Sequence, residues 1–370
     1  MKVVILHPPL YPMNHKFFNE LGKKIDLVVY SFGNYPGHHS TWKVKDFISP
    51  NNNYQLKILE GNTNLKRLAV SYRLQLNPSF IKKVKLEKPD VLISIAFWMP
   101  SFYMALVKNW MKYKLMIITD ATQKTESKIK GFRHLLRKHI ARKTDTFIAA
   151  SDLTKEYLQY EFPKVNIETS LQTIDLNAWL DRIQSLESKK EIRQEYGIPE
   201  DVNVLLSVGN FIERKNFKSI IDQLPFLDNT LLLLIGGGEL EEDLKQQAIE
   251  LGVGDKVQLI PRQEGDNLKK YFKLSDVFVF PTKEDAFGYV AMEALATGLP
   301  MICSKHAGAS TLVEEGVNGF IIEPDEPYYD KVIQTLENLK SMSKNSEASI
   351  KKYTLENKVN EFCEIFNLKA

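Results

Sequence analysis

The stretch that decides the reading is Pro281–Gly298, PTKEDAFGYVAMEALATG. Asp285 stands just before an Ala-Phe-Gly turn, and a second carboxylate, Glu293, follows eight residues later. The neighbours Ala291, Met292, Ala294, Leu295 and Ala296 are small or apolar, which predicts a mostly buried helix with Glu293 about two turns in. Glycine at 288 lets the backbone come close to a ligand, and the free N–H groups at a helix start suit a phosphate. One carboxylate then sits at the mouth of the helix and the other on its flank, placed to grip hydroxyls on either side of a bound diphosphate. Without that context Glu293 would read as an ordinary solvent-facing residue, but a lone Glu on a buried helix needs a partner or a ligand.

Working outward, short apolar runs alternate with helical patterns along the whole chain, the mark of parallel sheets with crossover helices. Strands are expected at Val3–Leu6, Leu27–Tyr30, Val91–Ile95, Leu115–Ile118 and Thr146–Ala149, then at Val204–Val208, Leu231–Ile235, Val257–Ile260, Val277–Pro281, Met301–Ser304 and Gly319–Ile322. Both halves therefore predict doubly wound α/β domains, and 370 residues suit two of them. The expected division is 1–175, 176–350 and a last helix over 351–370 that folds back on the first domain. The polar segment from Ser31 to Asn64 is the part least defined by its pattern.

A hydrophobic content of 44% and a net charge of +3 describe a soluble globular protein with no strong polyanion preference. Two cysteines, Cys303 and Cys363, offer neither a disulfide framework nor paired metal spacing, which fits a reducing cytosol. The opening MKVVILHPPLYP reads as a buried first strand rather than a signal peptide. The longest apolar run, Val91 to Val107, is broken by Pro100 and falls short of the roughly 20 residues a spanning helix needs.

The 281–298 segment resembles the donor-sugar signature of the retaining glycosyltransferases of family 4, the group 1 transferases of the GT-B fold. Their pattern is Glu, seven residues, Glu, with Phe-Gly inside it; here Asp285 stands in the first position. The resemblance implies two Rossmann-like domains facing a central cleft, with the donor held by the second. It implies that Glu293 binds ribose hydroxyls and that Asp285 holds sugar hydroxyls, with Glu284 beside it as the alternative. Phe287, Gly288 and Tyr289, at the turn itself, join the donor set.

After strand Val204–Val208 come Gly209, Asn210, then Arg214 and Lys215. This resembles the family's Val-Gly-Arg, four residues, Lys element, whose cations clamp the leaving phosphates. Lys215 falls on the Lys position; Asn210 replaces the Arg, and Arg214 is placed to supply the missing charge. Arg-Lys in a loop is otherwise an ordinary solvated surface. Gly237, within Gly236–Gly238, matches a Gly-x-Gly element, although glycine turns after strands are common in any α/β fold. Arg262 and Glu264 lie in the loop that, in the family, touches the nucleobase. The loop from His306 to Thr311 has Thr311 where the family has Glu, and the loop after the first strand, His7 to Asn14, lacks the family's glycines.

In the first domain Asp120, at a strand end, is the candidate for the place where many relatives carry a histidine facing the reacting sugar; capping of the following turn is the equal alternative. The catalytic set implied is Asp120, Lys215 and Asp285. Retention in the family is explained by the leaving phosphate assisting the incoming hydroxyl, which requires no protein base. No Asp-x-Asp occurs in the chain, so the expectation is metal-independent transfer with no cofactor beyond the nucleotide diphosphate sugar. The alternatives are a catalytically inactive relative serving as a binding or partner subunit, and a nucleotide-sugar isomerase of the same fold.

From Lys124 to Lys143 there are eight Lys/Arg and one acid, Glu126. Read as one helix, this places Ile129, Phe132, Leu136 and Ile140 on one face, with Arg133, Arg137, Lys138 and Arg142 around it. Such a helix lies on an anionic bilayer or packs half-buried with a solvated basic side. The expected partners are a nucleotide-sugar donor and a glycan or lipid-linked acceptor, with no nucleic acid, since the patch lacks interleaved aromatics. The expected place is the cytoplasm, with peripheral contact at the inner face of the cell membrane.

Overall fold

The computed structural model describes residues 1–34, 43–59, 77–127 and 129–367. It divides the chain into two compact units, Met1–Leu171 with Leu355–Ala370, and Gln172–Thr354. These boundaries lie four residues from the 175/176 and 350/351 divisions read from sequence.

In the first unit seven strands form a parallel sheet: β1 (Lys2–His7), β2 (Asp26–Ser31), β3 (Gln55–Ile58), β4 (Val91–Ile95), β5 (Lys114–Thr119), β6 (Thr146–Ala149) and β7 (Asn166–Thr169). Their order is β3-β2-β1-β4-β5-β6-β7. Side chains alternate across the sheet, so Val3 and Ile5 of β1 join one core with Val29 and Ile93, while Val4 and Leu6 join another with Val28 and Leu92. A strand buried on both faces has no polar side, which is why β1 and β5 read as unbroken apolar runs at their centres and β4 is broken only by the buried Ser94.

β3 and β7 are the two strands that the sequence reading did not expect. Both are edge strands with no fully buried residue: Gln55 of QLKI is exposed, and Asn166 and Glu168 of NIET face solvent at alternate positions. Parts of the polar 31–64 segment, 35–42 and 60–64, lie outside the described residues, as does Lys128.

The expected single helix over 124–143 is corrected: Gln123–Glu126 forms one short turn, Gly131 takes φ +61, and a second helix runs Phe132–Lys143. A left-handed glycine ends any continuous face. Ile140 is buried, Leu136 and Ile129 are half-buried, but Phe132 is 73% exposed. No described helix is long and apolar enough to cross a membrane.

The helix Leu355–Ile365 packs within the first unit, its Val359 and Phe362 sharing a core with Phe17, Phe18 and Leu21 of the helix Pro12–Gly22. The Phe17 and Phe362 rings meet edge-on at 5.0 Å. Burying a phenyl ring of this size stabilises by roughly 2 kcal/mol. Lys358 of the same helix donates to the Leu171 carbonyl, and burial pushes its ammonium down to about 8.

The second unit holds six parallel strands, β8 (Asn203–Asn210), β9 (Thr230–Gly237), β10 (Val257–Pro261), β11 (Val277–Phe280), β12 (Met301–Ser304) and β13 (Gly319–Ile322). Their order is β10-β9-β8-β11-β12-β13. Leu205, Leu232, Leu234, Val277, Val279 and Ile302 form one core beneath the sheet. The strand order reverses at the pair β8/β11, which opens a crevice at their carboxyl ends.

Candidate functional site

The loops that leave β8 and β11 meet at that crevice. Lys283 N–H and the Thr282 hydroxyl both donate to the Arg214 carbonyl, at 2.9 and 2.8 Å. Asn216 Nδ2 donates to the Pro281 carbonyl at 3.3 Å and to Pro324 at 2.9 Å. With their backbones joined this way, the loops bring their charged side chains together. Lys215 Nζ donates to Asp285 Oδ2 at 2.5 Å, and Arg214 Nη1 reaches the same oxygen at 3.3 Å and the Glu284 carbonyl at 2.8 Å. The Phe287 N–H donates to Asp285 Oδ1 at 3.3 Å. Lys215 and Asp285 are each 13% exposed, Arg214 43%. The Lys215 ammonium also lies 5.0 Å above the Phe280 ring, an additional cation–π attraction.

A second loop locks the other side. Asp285 N–H donates to the His306 carbonyl, Gly308 N–H to the Asp285 carbonyl at 3.0 Å and Ala309 N–H to the Phe287 carbonyl at 2.8 Å. A Cβ on Gly308 would stand 2.1 Å from the Ala286 carbonyl oxygen, so that loop passes against the turn only as glycine. Gly288 N-caps the helix Tyr289–Ala296 with φ +96, and a Cβ there would meet Phe280 at 2.6 Å. The turn is thus tightly defined, with the helix N-terminus at its end. The Phe287 ring is 2% exposed and serves as an anchor, leaving only its backbone to the site; Tyr289, on the first helical turn, is exposed.

Glu293 lies on that helix among buried Ala291, Met292, Ala294 and Leu295. Among the described residues no hydrogen bond or ion pair reaches its carboxylate. Burial pushes its carboxyl up to about 7, against the opposing pull of the Lys269 ammonium. Lys269 lies 4.9 Å above the Trp179 ring, and the Trp179 indole N–H donates to Thr297, four residues after Glu293. The sequence reading singled out neither Lys269 nor Trp179; a helix spacing alone gives no signal that they lie beside Glu293.

The remaining candidates fall at the same carboxyl edge of the sheet. The β8/β9 register runs on through Gly209↔Gly236 and Asn210↔Gly237. Asn210 is exposed, and a Cβ on Gly237 would meet nothing within 4 Å, so a ligand has room there. Arg262 and Glu264, after β10, pair with each other at 2.9 Å and are 73% and 70% exposed. Among the described residues no group of three or more His, Cys, Asp or Glu could hold a metal ion.

Asp120 belongs to the first unit, just past the end of β5. The short helix that follows, Gln123–Glu126, is capped by Thr122, which accepts from the Thr125 N–H at 3.2 Å. The sequence reading passed over His7, the last residue of β1 at the first sheet's own β1/β4 switch point. Its Nδ1–H donates to the Pro8 carbonyl at 2.6 Å, and burial pushes its imidazole down to about 4, which keeps it neutral at physiological pH.

Comparison with known proteins gives a family match and a match of fold. Residues 188–354 match the model of the family described as glycosyl transferases group 1. The chain is 33% identical over 156 residues to an uncharacterized glycosyltransferase of Methanocaldococcus jannaschii, covering 41% of this chain and 40% of that one. It is 30% identical over 131 residues to the lipopolysaccharide core biosynthesis glycosyltransferase LpsE of Rhizobium meliloti, covering 35% and 38%. The matched stretches thus span about two fifths of these curated relatives. By structure, Anabaena HepE in complex with UDP superposes with a TM-score of 0.76 at 17% identity, over 99% of this chain and 100% of that one. That likeness shows the fold alone, and two doubly wound parallel sheets of these orders are the GT-B class.

Proposed function

From the match of residues 188–354 to the glycosyl transferases of group 1, we propose that the chain moves a sugar from a nucleotide diphosphate sugar to a hydroxyl of a glycan or lipid-linked acceptor. The observation that carries this reading is Glu293. A carboxylate without a protein partner, half-buried on an otherwise apolar helix at the edge of the crevice, wants hydroxyl donors, and the paired hydroxyls of a ribose supply them.

The cations and the helix N-terminus take the other end of the donor. Lys215 and Arg214 stand on loops held by backbone hydrogen bonds, already placed where charge develops on a departing diphosphate. The bond from the anomeric carbon to the diphosphate breaks, the acceptor oxygen bonds to the same carbon, and the acceptor proton passes to the leaving phosphate. Transfer on one face retains the anomeric configuration. The two side-chain cations supply the positive charge that a divalent metal would otherwise bring, so the reading needs no metal and no further cofactor. Asp120 is assigned to the acceptor side, and Gly237, Arg262 and Glu264 to the nucleoside.

The complex of HepE with UDP makes uridine nucleotides the first donors to try. The name of LpsE points to cell-surface polysaccharide as the acceptor class. On the helix Phe132–Lys143 the exposed face carries Phe132 and Leu135 with Arg133, Lys138 and Arg142, which suits peripheral contact with an anionic membrane at the cytoplasmic side. A binding subunit without turnover is the second reading, favoured by Asn210 in the place of a cation and by the engagement of Asp285 with Lys215.

A thermal-shift panel of UDP, GDP, ADP and dTDP sugars, with and without EDTA, on wild type and Glu293→Ala, tests the assignment. A ligand at 100 times its dissociation constant adds about 2.7 kcal/mol to stability. One nucleotide class should stabilise the wild type, regardless of EDTA, and leave the variant unmoved. No shift with any nucleotide sinks the donor site; a shift without product in an acceptor assay leaves the binding subunit.

A further inference from the structure

The two oxygens of Asp285 are both occupied. Oδ2 accepts from Lys215 Nζ at 2.5 Å and Arg214 Nη1 at 3.3 Å, and Oδ1 accepts the Phe287 N–H at 3.3 Å. Two cations and a backbone N–H converging on one anion is how a phosphate is held. A carboxylate so engaged has only one lone pair, on Oδ1, left to offer the hydroxyls of a sugar. Its donors, however, do not depend on it for position. Arg214 is held through its own carbonyl by Lys283 and Thr282, and Lys215 rests over the Phe280 ring.

Resting on the donor-site reading above, we propose that Asp285 is an internal counter-ion that the incoming diphosphate displaces from Lys215 and Arg214, so that its carboxylate turns to the sugar only after the phosphates are seated. The trio Arg214, Lys215 and Asp285 carries a net +1, which attracts an anion of higher charge than the carboxylate it replaces. A displaced Asp285, 13% exposed and left with the Phe287 N–H alone, lacks the two donors it gave up, and sugar hydroxyls are the donors that arrive with the phosphates. Sugar recognition is thereby conditional on the diphosphate, and a free monosaccharide meets a carboxylate that is already taken. The aspartate side chain, one methylene shorter than glutamate, holds the carboxylate close to its own loop and within reach of Lys215.

Isothermal titration of UDP, GDP, ADP and dTDP into wild type, Asp285→Asn and Glu213→Gln tests this. Asp285→Asn should bind whichever diphosphate the wild type binds about tenfold tighter, the scale of one charge-assisted hydrogen bond. It should also lose the wild type's discrimination between a nucleotide sugar and its bare diphosphate. A gain in affinity is an outcome that structural damage does not produce. Glu213→Gln removes an equal charge from the loop that carries Arg214 and Lys215, where Glu213 pairs with Lys283 at 3.1 Å, and should bind as the wild type does. Asp285→Ser keeps an acceptor for the Phe287 N–H and is read the same way if the Asn variant folds poorly. Equal or weaker binding by the Asp285 variants, or an equal gain in Glu213→Gln, overturns the exchange and leaves the donor site standing. If no diphosphate binds any of these proteins, the donor site falls and the exchange with it.

Discussion

Lys215 and Asp285, seventy residues apart, meet at 2.5 Å and join the loop after β8 to the loop after β11. The contact lies at the one place in the second sheet where the strand order reverses, so it ties together the two halves of the crevice. What each partner contributes can be measured separately.

Lys215→Ala removes the half-buried cation at the place assigned to the leaving phosphate. Transfer should fall roughly 100- to 1,000-fold in kcat, the usual loss for one preorganised charge-stabilising donor. Initial rates of nucleoside diphosphate release give the number, with circular dichroism to check folding. A folded variant within threefold of wild type removes Lys215 from the catalytic set.

Glu293 makes a pH prediction whose sign follows from its shift. Its carboxyl is pushed up to about 7 from an ordinary 4.5. Between those values the folded state binds more protons than the unfolded one, so stability falls as pH rises through the window and levels off above about 7. Glu293→Gln should therefore be more stable than wild type at about pH 8, on the order of 1–2 kcal/mol, and little changed at about pH 5. Urea titrations at the two pH values decide it; a difference of the same size at both would contradict the shift. Nucleotide affinity should move the opposite way, rising with pH through 7 in the wild type, because the ionised carboxylate is the form that accepts from ribose hydroxyls.

Gly288→Ala should cost roughly 2–3 kcal/mol, combining a left-handed φ of +96 with a Cβ 2.6 Å from the Phe280 ring. Adding Phe280→Leu to that variant removes the clash but not the backbone strain, so it should recover part of the loss relative to Phe280→Leu alone. A double-mutant cycle in urea reads the coupling directly. Full additivity would mean that the ring and the new methyl never meet.

The helix Phe132–Lys143 is tested with vesicles. The protein should sediment with vesicles rich in anionic lipid and stay in solution with neutral ones, and Arg133→Glu with Lys138→Glu should abolish the difference. Each basic residue near such a surface contributes about 1 kcal/mol. Equal sedimentation of wild type and variant would assign the exposed basic face to solvent alone.

The central strands were legible because burial on both faces leaves a signature that any window catches: Val-Val-Ile-Leu in β1 and Leu-Leu-Leu-Leu-Ile in β9 admit nothing else. QLKI and NIET were not, since an edge strand with one wet face looks like loop until its neighbour is known. Periodicity carried Ile129 into the same face as Leu136 and Ile140, and a single glycine at φ +61 between them undid it, a backbone fact that hydrophobic spacing does not encode. At the site, the isolation of Glu293 could be read from its neighbours, because a carboxylate among Ala, Met and Leu is conspicuous in one dimension. The engagement of Asp285 could not. It depends on two loops that only the sheet order brings together, and on a side-chain length whose consequence appears at 2.5 Å.

The helix Leu355–Ile365 closes a core whose other members, Phe17, Phe18 and Leu21, lie near the opposite end of the sequence. During synthesis the first unit therefore waits, its apolar face open, while all of Gln172–Thr354 leaves the ribosome. The second unit is contiguous and has every strand it needs before that happens. Domains made in tandem usually finish in the order they are translated; here the order inverts, and a stalled or shortened chain leaves a finished second unit attached to an unfinished first.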